Sequence, residues 1–141
     1  VSGLDAKDFL QNILTNDVDK VVESNSIFSA ILTPQGKYLY EFFIVKSSNG
    51  YYLDCDSDFT NEIIENLSKY KLRSKIEIEN LSNEYVVGII SLEKFIEIQS
   101  VEKKNTQTIL SGECSVFVDP RKNLALEVLR KGFRKFNFSG D

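Results

Sequence analysis

Glu41 is the side chain here whose position most demands a chemical explanation. It falls within Thr33-Pro34-Gln35-Gly36-Lys37-Tyr38-Leu39-Tyr40-Glu41-Phe42-Phe43-Ile44, a tight turn feeding a long strand. Strand alternation sets Leu39, Glu41, Phe43 and Val45 on one face and Tyr38, Tyr40, Phe42 and Ile44 on the other. A carboxylate among large apolar groups is costly to bury unless it has a partner or a task. The task in view is proton transfer or hydrogen bonding to a bound ring. Two other readings stand beside it. The face is open to solvent near a sheet edge, or Lys37, on the same face, pairs with Glu41. Tyr38, Tyr40, Tyr51 and Tyr52 divide in the same way between stacking on a flat ligand and ordinary packing on a sheet.

Other chemistry is closed off by composition. The chain has no histidine, which removes Ser-His-Asp and Cys-His catalysis and His-ligated zinc. Cys55 and Cys114 lack metal-motif spacing and read as reduced, ordinary small residues. Asn16 and Asp17 suit the turn after a helix, where Asn tolerates a left-handed backbone. Asp119-Pro120-Arg121 reads as a turn in which Arg121 forms an ion pair. Arg130, Lys131, Arg134 and Lys135 make the C-terminal stretch basic, a pattern that most simply is solvated surface.

The elements that must position these groups follow from periodicity. Ala6, Phe9, Leu10, Ile13 and Leu14 predict an amphipathic helix over 5–16, started by Asp5 or Ser2. Residues 27–32 predict a strand, Pro34-Gln35-Gly36 a turn, and 37–46 a second strand. Ser47-Ser48-Asn49-Gly50 reads as a hairpin, with Asn-Gly suited to a type I′ turn before a strand over 51–56. Phe59, Ile63, Ile64, Leu67 and Tyr70 form the stripe of a helix over 58–70, capped by Ser57. Lys75 to Glu79 alternates as an edge strand. Strands are expected over 84–91, 109–111, 114–118 and 124–130. Residues 93–99 fit strand or helix, and 100–108 read as loop. Strands joined by hairpins and interrupted by two helices imply an α+β fold, with the two helices packed on an antiparallel sheet.

At 141 residues and 42% hydrophobic, the chain can build one real core. Net charge −4 and pI near 5.0 argue against a broad nucleic-acid-binding surface. No apolar run is long enough for a membrane-spanning helix, and no secretory signal is visible. The chain opens on Val1 and closes on Ser139-Gly140-Asp141, which reads as a fragment.

Three blocks carry a family resemblance. Val1-Ser2-Gly3-Leu4-Asp5-Ala6-Lys7-Asp8-Phe9-Leu10 with Leu14-Thr15-Asn16-Asp17-Val18, the turn-and-strand stretch ending at Ile44, and Phe117-Val118-Asp119-Pro120-Arg121 stand in the order found in the YgfZ/GcvT folate-binding family. The chain resembles that family over residues 1 to about 130. The resemblance implies a ferredoxin-like N-terminal portion over 1–80 and the start of a second α+β portion over 81–141. It implies tetrahydrofolate as ligand, with Tyr40 and Glu41 on the positions of the family's paired acids, Tyr38 beside them, Asn16 reaching the folate cavity and Arg121 meeting the folate glutamate tail. Tyr40 and Glu41 depart from that acid pair. The implied role is YgfZ-like support of iron–sulfur cluster assembly or repair and of tRNA-modifying enzymes. The implied partners are folate and iron–sulfur proteins, without direct nucleic-acid or membrane binding. The implied location is the cytoplasm, or the mitochondrial matrix in a eukaryote. A folate-dependent aminomethyltransferase is the alternative, and a non-catalytic interaction module the second. The family's later Lys-Gly-Cys-Tyr motif does not occur in this sequence, and neither Cys55 nor Cys114 inherits its role.

Overall fold

The computed structural model describes residues 1–91, 108–111, 114–118 and 126–132. The first helix, α1, spans Ala6–Gln11 and buries Ala6, Phe9 and Leu10. It is shorter than periodicity predicts because 12–16 are drawn onto the sheet. Leu14 bridges Ile31, and the Thr15 amide donates to the Ala30 carbonyl at 3.1 Å. Asp5 precedes the helix without capping it. Its carboxylate instead accepts the Lys75 amide at 2.7 Å, fastening the start of the chain to a distant segment.

Three antiparallel strands follow: β1 (Ile27–Leu32), β2 (Tyr38–Ser47) and β3 (Gly50–Asp54), in the order β1-β2-β3. The β1–β2 turn closes through Gly36, whose φ of 79° needs glycine, donating to the Thr33 carbonyl at 2.8 Å. The β2–β3 hairpin differs from the Asn-Gly expectation. Ser47 pairs with Gly50, so the loop is Ser48-Asn49, and neither residue takes the positive φ of a type I′ turn. Gly50 has another reason to be glycine. A Cβ there would lie 2.2 Å from the Val1 carbonyl oxygen, because the first residues pair alongside β3 at that point.

A 3-10 turn, Ser57–Phe59, leads into α2 (Thr60–Lys71). Asp56 rather than Ser57 caps the turn, accepting the Asp58 amide at 3.0 Å. Only the centre of the expected stripe is buried. Ile63 and Leu67 enter the core, while Phe59 and Tyr70 stay exposed. Phe9 and Leu10 of α1, Ile63 and Leu67 of α2, and Phe42 and Ile44 of β2 share one core. Phe43 and Val45 pack with Phe28 and Tyr52 on the opposite face of the sheet. Residues 75–79 keep their alternation, with Ile76 buried and Glu77 exposed, but among the described residues they form no ladder beyond one bridge from Glu77 to Ser2.

The second sheet contains β4 (Tyr85–Ser91), β5 (Thr108–Ser111), β6 (Cys114–Val118) and β7 (Leu126–Gly132) in the antiparallel order β4-β7-β6-β5. Antiparallel sheets with two helices on the first make the fold α+β. Residues 93–99, Asp119-Pro120-Arg121, Arg134 and Lys135 lie outside the described residues.

Candidate functional site

The site forms where β2 outruns β3. The β2–β3 ladder extends only to the Phe43–Asp54 pair, and the chain then turns through Cys55 and Asp56 into α2. Tyr38 to Phe42 therefore project past the end of β3. A cavity of about 430 Å³ opens there, lined among others by Tyr38, Tyr40, Glu41, Asp54, Cys55 and Phe59.

Alternation sends its two central side chains in different directions. Tyr40 faces α2, where its hydroxyl donates to Glu62 Oε2 at 2.8 Å. Its ring lies 6.0 Å from that of Phe59. Glu41 takes the other face, shared with Phe43, whose ring centroid is 5.3 Å from that of Phe28. Glu41 is exposed, in line with the reading of a face open to solvent rather than that of a carboxylate buried beside Leu39 and Phe43. Full burial on β2 starts at Phe42, next to the end of the β3 ladder. Tyr38 is 57% exposed at the mouth.

Asn16 is not at this cavity. Its Nδ2 donates to the Phe28 carbonyl at 2.9 Å, its Oδ1 accepts the Asp17 amide at 2.8 Å, and its own amide donates to Ser29 Oγ at 3.2 Å. The side chain ties the post-helix loop to β1, and its φ is not positive, contrary to a left-handed helix end. Arg121 lies outside the described residues. Tyr51 is a core residue with Lys46 Nζ 4.6 Å from its ring centroid. The Tyr52 ring meets that of Tyr85 at a tilt of 48°, with centroids 5.5 Å and hydroxyls 3.5 Å apart.

Sequence reasoning missed Asp54, Cys55, Asp56 and Phe59. Their signal was the run Asp54-Cys55-Asp56-Ser57-Asp58 directly after a strand, where capping residues and a chain reversal concentrate polar groups. The cavity combines carboxylates, which accept hydrogen bonds, with aromatic faces that can stack on a flat ring. Cys55 Sγ lies 3.7 Å from Thr60 Oγ1. Among the described residues, no three His, Cys, Asp or Glu side chains converge as a metal site.

The Glu62 carboxylate, through its hydrogen bond, holds the Tyr40 phenol above its ordinary titration range. Burial does the same for Tyr51. Both groups keep their proton longer when folded than when unfolded. Their contribution to stability is thus whole below about pH 10 and fades as pH rises through the folded-state values. Alkaline denaturation should show stability falling above about pH 10, and Tyr40→Phe should weaken that dependence.

The chain matches a number of known proteins, two of which are described here by name. The chain is 30% identical over 91 aligned residues to a Neurospora crassa protein named iron-sulfur cluster assembly factor IBA57 homolog, mitochondrial. It is 33% identical over 101 residues to the Mycosarcoma maydis protein of the same name. The chain is similar to iron–sulfur cluster assembly factors. The matches cover 60% and 62% of this chain but 21% and 25% of those proteins. The chain thus spans between a fifth and a quarter of the length of the curated relatives it matches. No protein-family profile matches it. Among the described residues, no helix is long and apolar enough to cross a membrane.

Proposed function

We propose that this chain belongs to a tetrahydrofolate-binding protein that supports iron–sulfur cluster assembly. Its fold in this reading is the N-terminal part of the YgfZ/GcvT fold, with a ferredoxin-like portion over 1–80 and the start of a second α+β portion over 81–141. The observation that carries the folate assignment is the cavity gathering Tyr38, Tyr40 and Glu41 with further aromatic and acidic groups. A pterin offers ring N–H donors for a carboxylate and a flat face for aromatic side chains. Cluster assembly is supported by the names of the two relatives, and those names also support a mitochondrial location. Iron–sulfur proteins are the partners in this reading, and support of cluster-dependent tRNA-modifying enzymes follows from it.

Aminomethyl transfer fits the geometry less well. The family's paired acids correspond to Tyr40 and Glu41, yet Tyr40 gives its hydroxyl to Glu62 on the α2 side. The binding role needs only Glu41 and the aromatic lining.

Calorimetric titration with folinic acid tests the proposal. Saturable binding is expected, weakened about tenfold in Glu41→Gln by loss of a charge-assisted hydrogen bond. Absence of saturable binding, or equal affinity in the variant, overturns Glu41 as a folate contact.

A further inference from the structure

Two turns lie side by side at the carboxyl end of α2. The first is Gly3-Leu4-Asp5-Ala6, closed by the Ala6 amide donating to the Gly3 carbonyl at 3.2 Å. The second is Lys71-Leu72-Arg73-Ser74, closed by the Ser74 amide donating to the Lys71 carbonyl at 2.8 Å. Asp5 and Lys75 join them. The Asp5 amide donates to the Lys75 carbonyl at 3.4 Å, and the Asp5 carboxylate accepts the Lys75 amide at 2.7 Å. Each turn carries a leucine. Leu4 is 87% and Leu72 88% exposed, the most exposed large hydrophobic side chains among the described residues. Tyr70, also exposed, borders a shallow hollow beside Leu72 with Asp5 and Arg73.

Leu72 is out of place by local rules. Its φ of 40° and ψ of −110° lie near those of the first central residue of a type II′ turn, a position that favours glycine. A leucine there carries backbone strain. Its exposed side chain recovers none of that cost by burial among the described residues. An apolar group held out at a cost points to a contact outside the chain.

The surrounding charge indicates what that contact is. Lys69, Lys71, Arg73 and Lys75 place four cations within one short stretch that contains no acid, in a chain of net charge −4. Lys69 pairs loosely with exposed Glu65 at 3.7 Å, and Asp5 is occupied by the Lys75 amide. Screening limits the reach of the chain's other charges to about 10 Å at 0.1 M salt, so the local surplus governs contact here. A nucleic acid would satisfy the cations but offers no apolar medium to two leucines. An anionic membrane supplies both, with head groups for the cations and hydrocarbon just beneath for the leucines. Tyrosine suits the boundary between the two layers, and lysine stems lie along it with their charge in water.

We propose that Leu4, Tyr70 and Leu72, with Lys69, Lys71, Arg73 and Lys75, seat the protein on an anionic phospholipid surface. This is attachment to one leaflet and needs no membrane-spanning helix. It departs from the absence of membrane binding that the family resemblance implies, and it is independent of the folate cavity.

Sedimentation of the chain with phospholipid vesicles tests the proposal. Vesicles of phosphatidylcholine with about 30% phosphatidylglycerol should carry the chain down, and vesicles of phosphatidylcholine alone should not. Glycine accepts the backbone conformation of Leu72 without strain. Leu72→Gly should therefore match the parent chain in urea denaturation, yet bind anionic vesicles about tenfold more weakly. Lys71→Gln combined with Arg73→Gln should weaken binding about thirtyfold. Failure to sediment with anionic vesicles overturns the proposal, as does undiminished binding of Leu72→Gly. Salt-sensitive binding to an oligouridylate without vesicle binding overturns it in favour of a nucleic acid. Binding to neither overturns it in favour of an acidic protein surface.

Discussion

Phe42→Ala is expected to destabilise the fold by about 3–5 kcal/mol. Phe42 is 1% exposed and is among the largest fully buried side chains. It stands at the middle of the central strand, within the core that joins both helices to the sheet. Its loss removes the transfer free energy of the ring and leaves a cavity that neighbours on three elements cannot readily close. A domain of ordinary stability holds roughly 5–15 kcal/mol, so the variant should sit near its unfolding threshold. Equilibrium urea denaturation reads the effect directly. A loss below about 1 kcal/mol would show that the site collapses around the deletion and that this core is not continuous.

Gly3→Ala should be the second most damaging change, through backbone rather than core. Gly3 has φ +111°, and a Cβ there would lie 2.3 Å from the Lys75 carbonyl oxygen. Strain at the backbone costs on the order of 1–3 kcal/mol, and the clash adds to it because its neighbour is main chain. The contacts at risk form a latch. Ser2 and Glu77 exchange two backbone hydrogen bonds of 2.9 Å, and Asp5 holds the Lys75 amide. Gly36→Ala is the matched comparison, since Gly36 also has positive φ but an added Cβ meets nothing within 4 Å. It should cost only the left-handed penalty of about 1–2 kcal/mol. The Gly3 variant should lose more stability and expose the Glu77 amide to exchange. Equal losses in the two variants would mean that the latch adjusts around the new methyl group.

The first sheet was legible because its strands are apolar runs bounded by turn residues. Ile27–Leu32 matches its expected limits, and Tyr38–Ser47 lies within one residue of them. What escaped was set by contacts distant in sequence. Gly50 looked like half of a turn, but its missing side chain answers to Val1 running close alongside β3, which no local pattern reports. Asp5 looked like a helix cap and is instead committed to Lys75. Glu41 illustrates the same limit at the candidate site. Alternation assigned its face correctly beside Phe43, but exposure depends on where the neighbouring strand stops. Asp54, Cys55 and Phe59 were invisible as lining for the same reason. They meet β2 only after the chain has reversed into α2. Tyr40 was singled out by resemblance, and its bond to Glu62 links positions 22 residues apart.

The latch between the first residues and the 75–77 segment also bears on the order in which the molecule assembles. The β1-β2-β3 meander joins neighbours in sequence and needs only short loops to close. The Asp5–Lys75 contact spans 70 residues, and its closure entropy is recovered only once the meander and α2 have brought both ends to the same place. The segment ahead of the meander is thus fastened only after the meander has formed. In the folded state, that seam is the natural first point of opening, and it can part while the meander keeps its core.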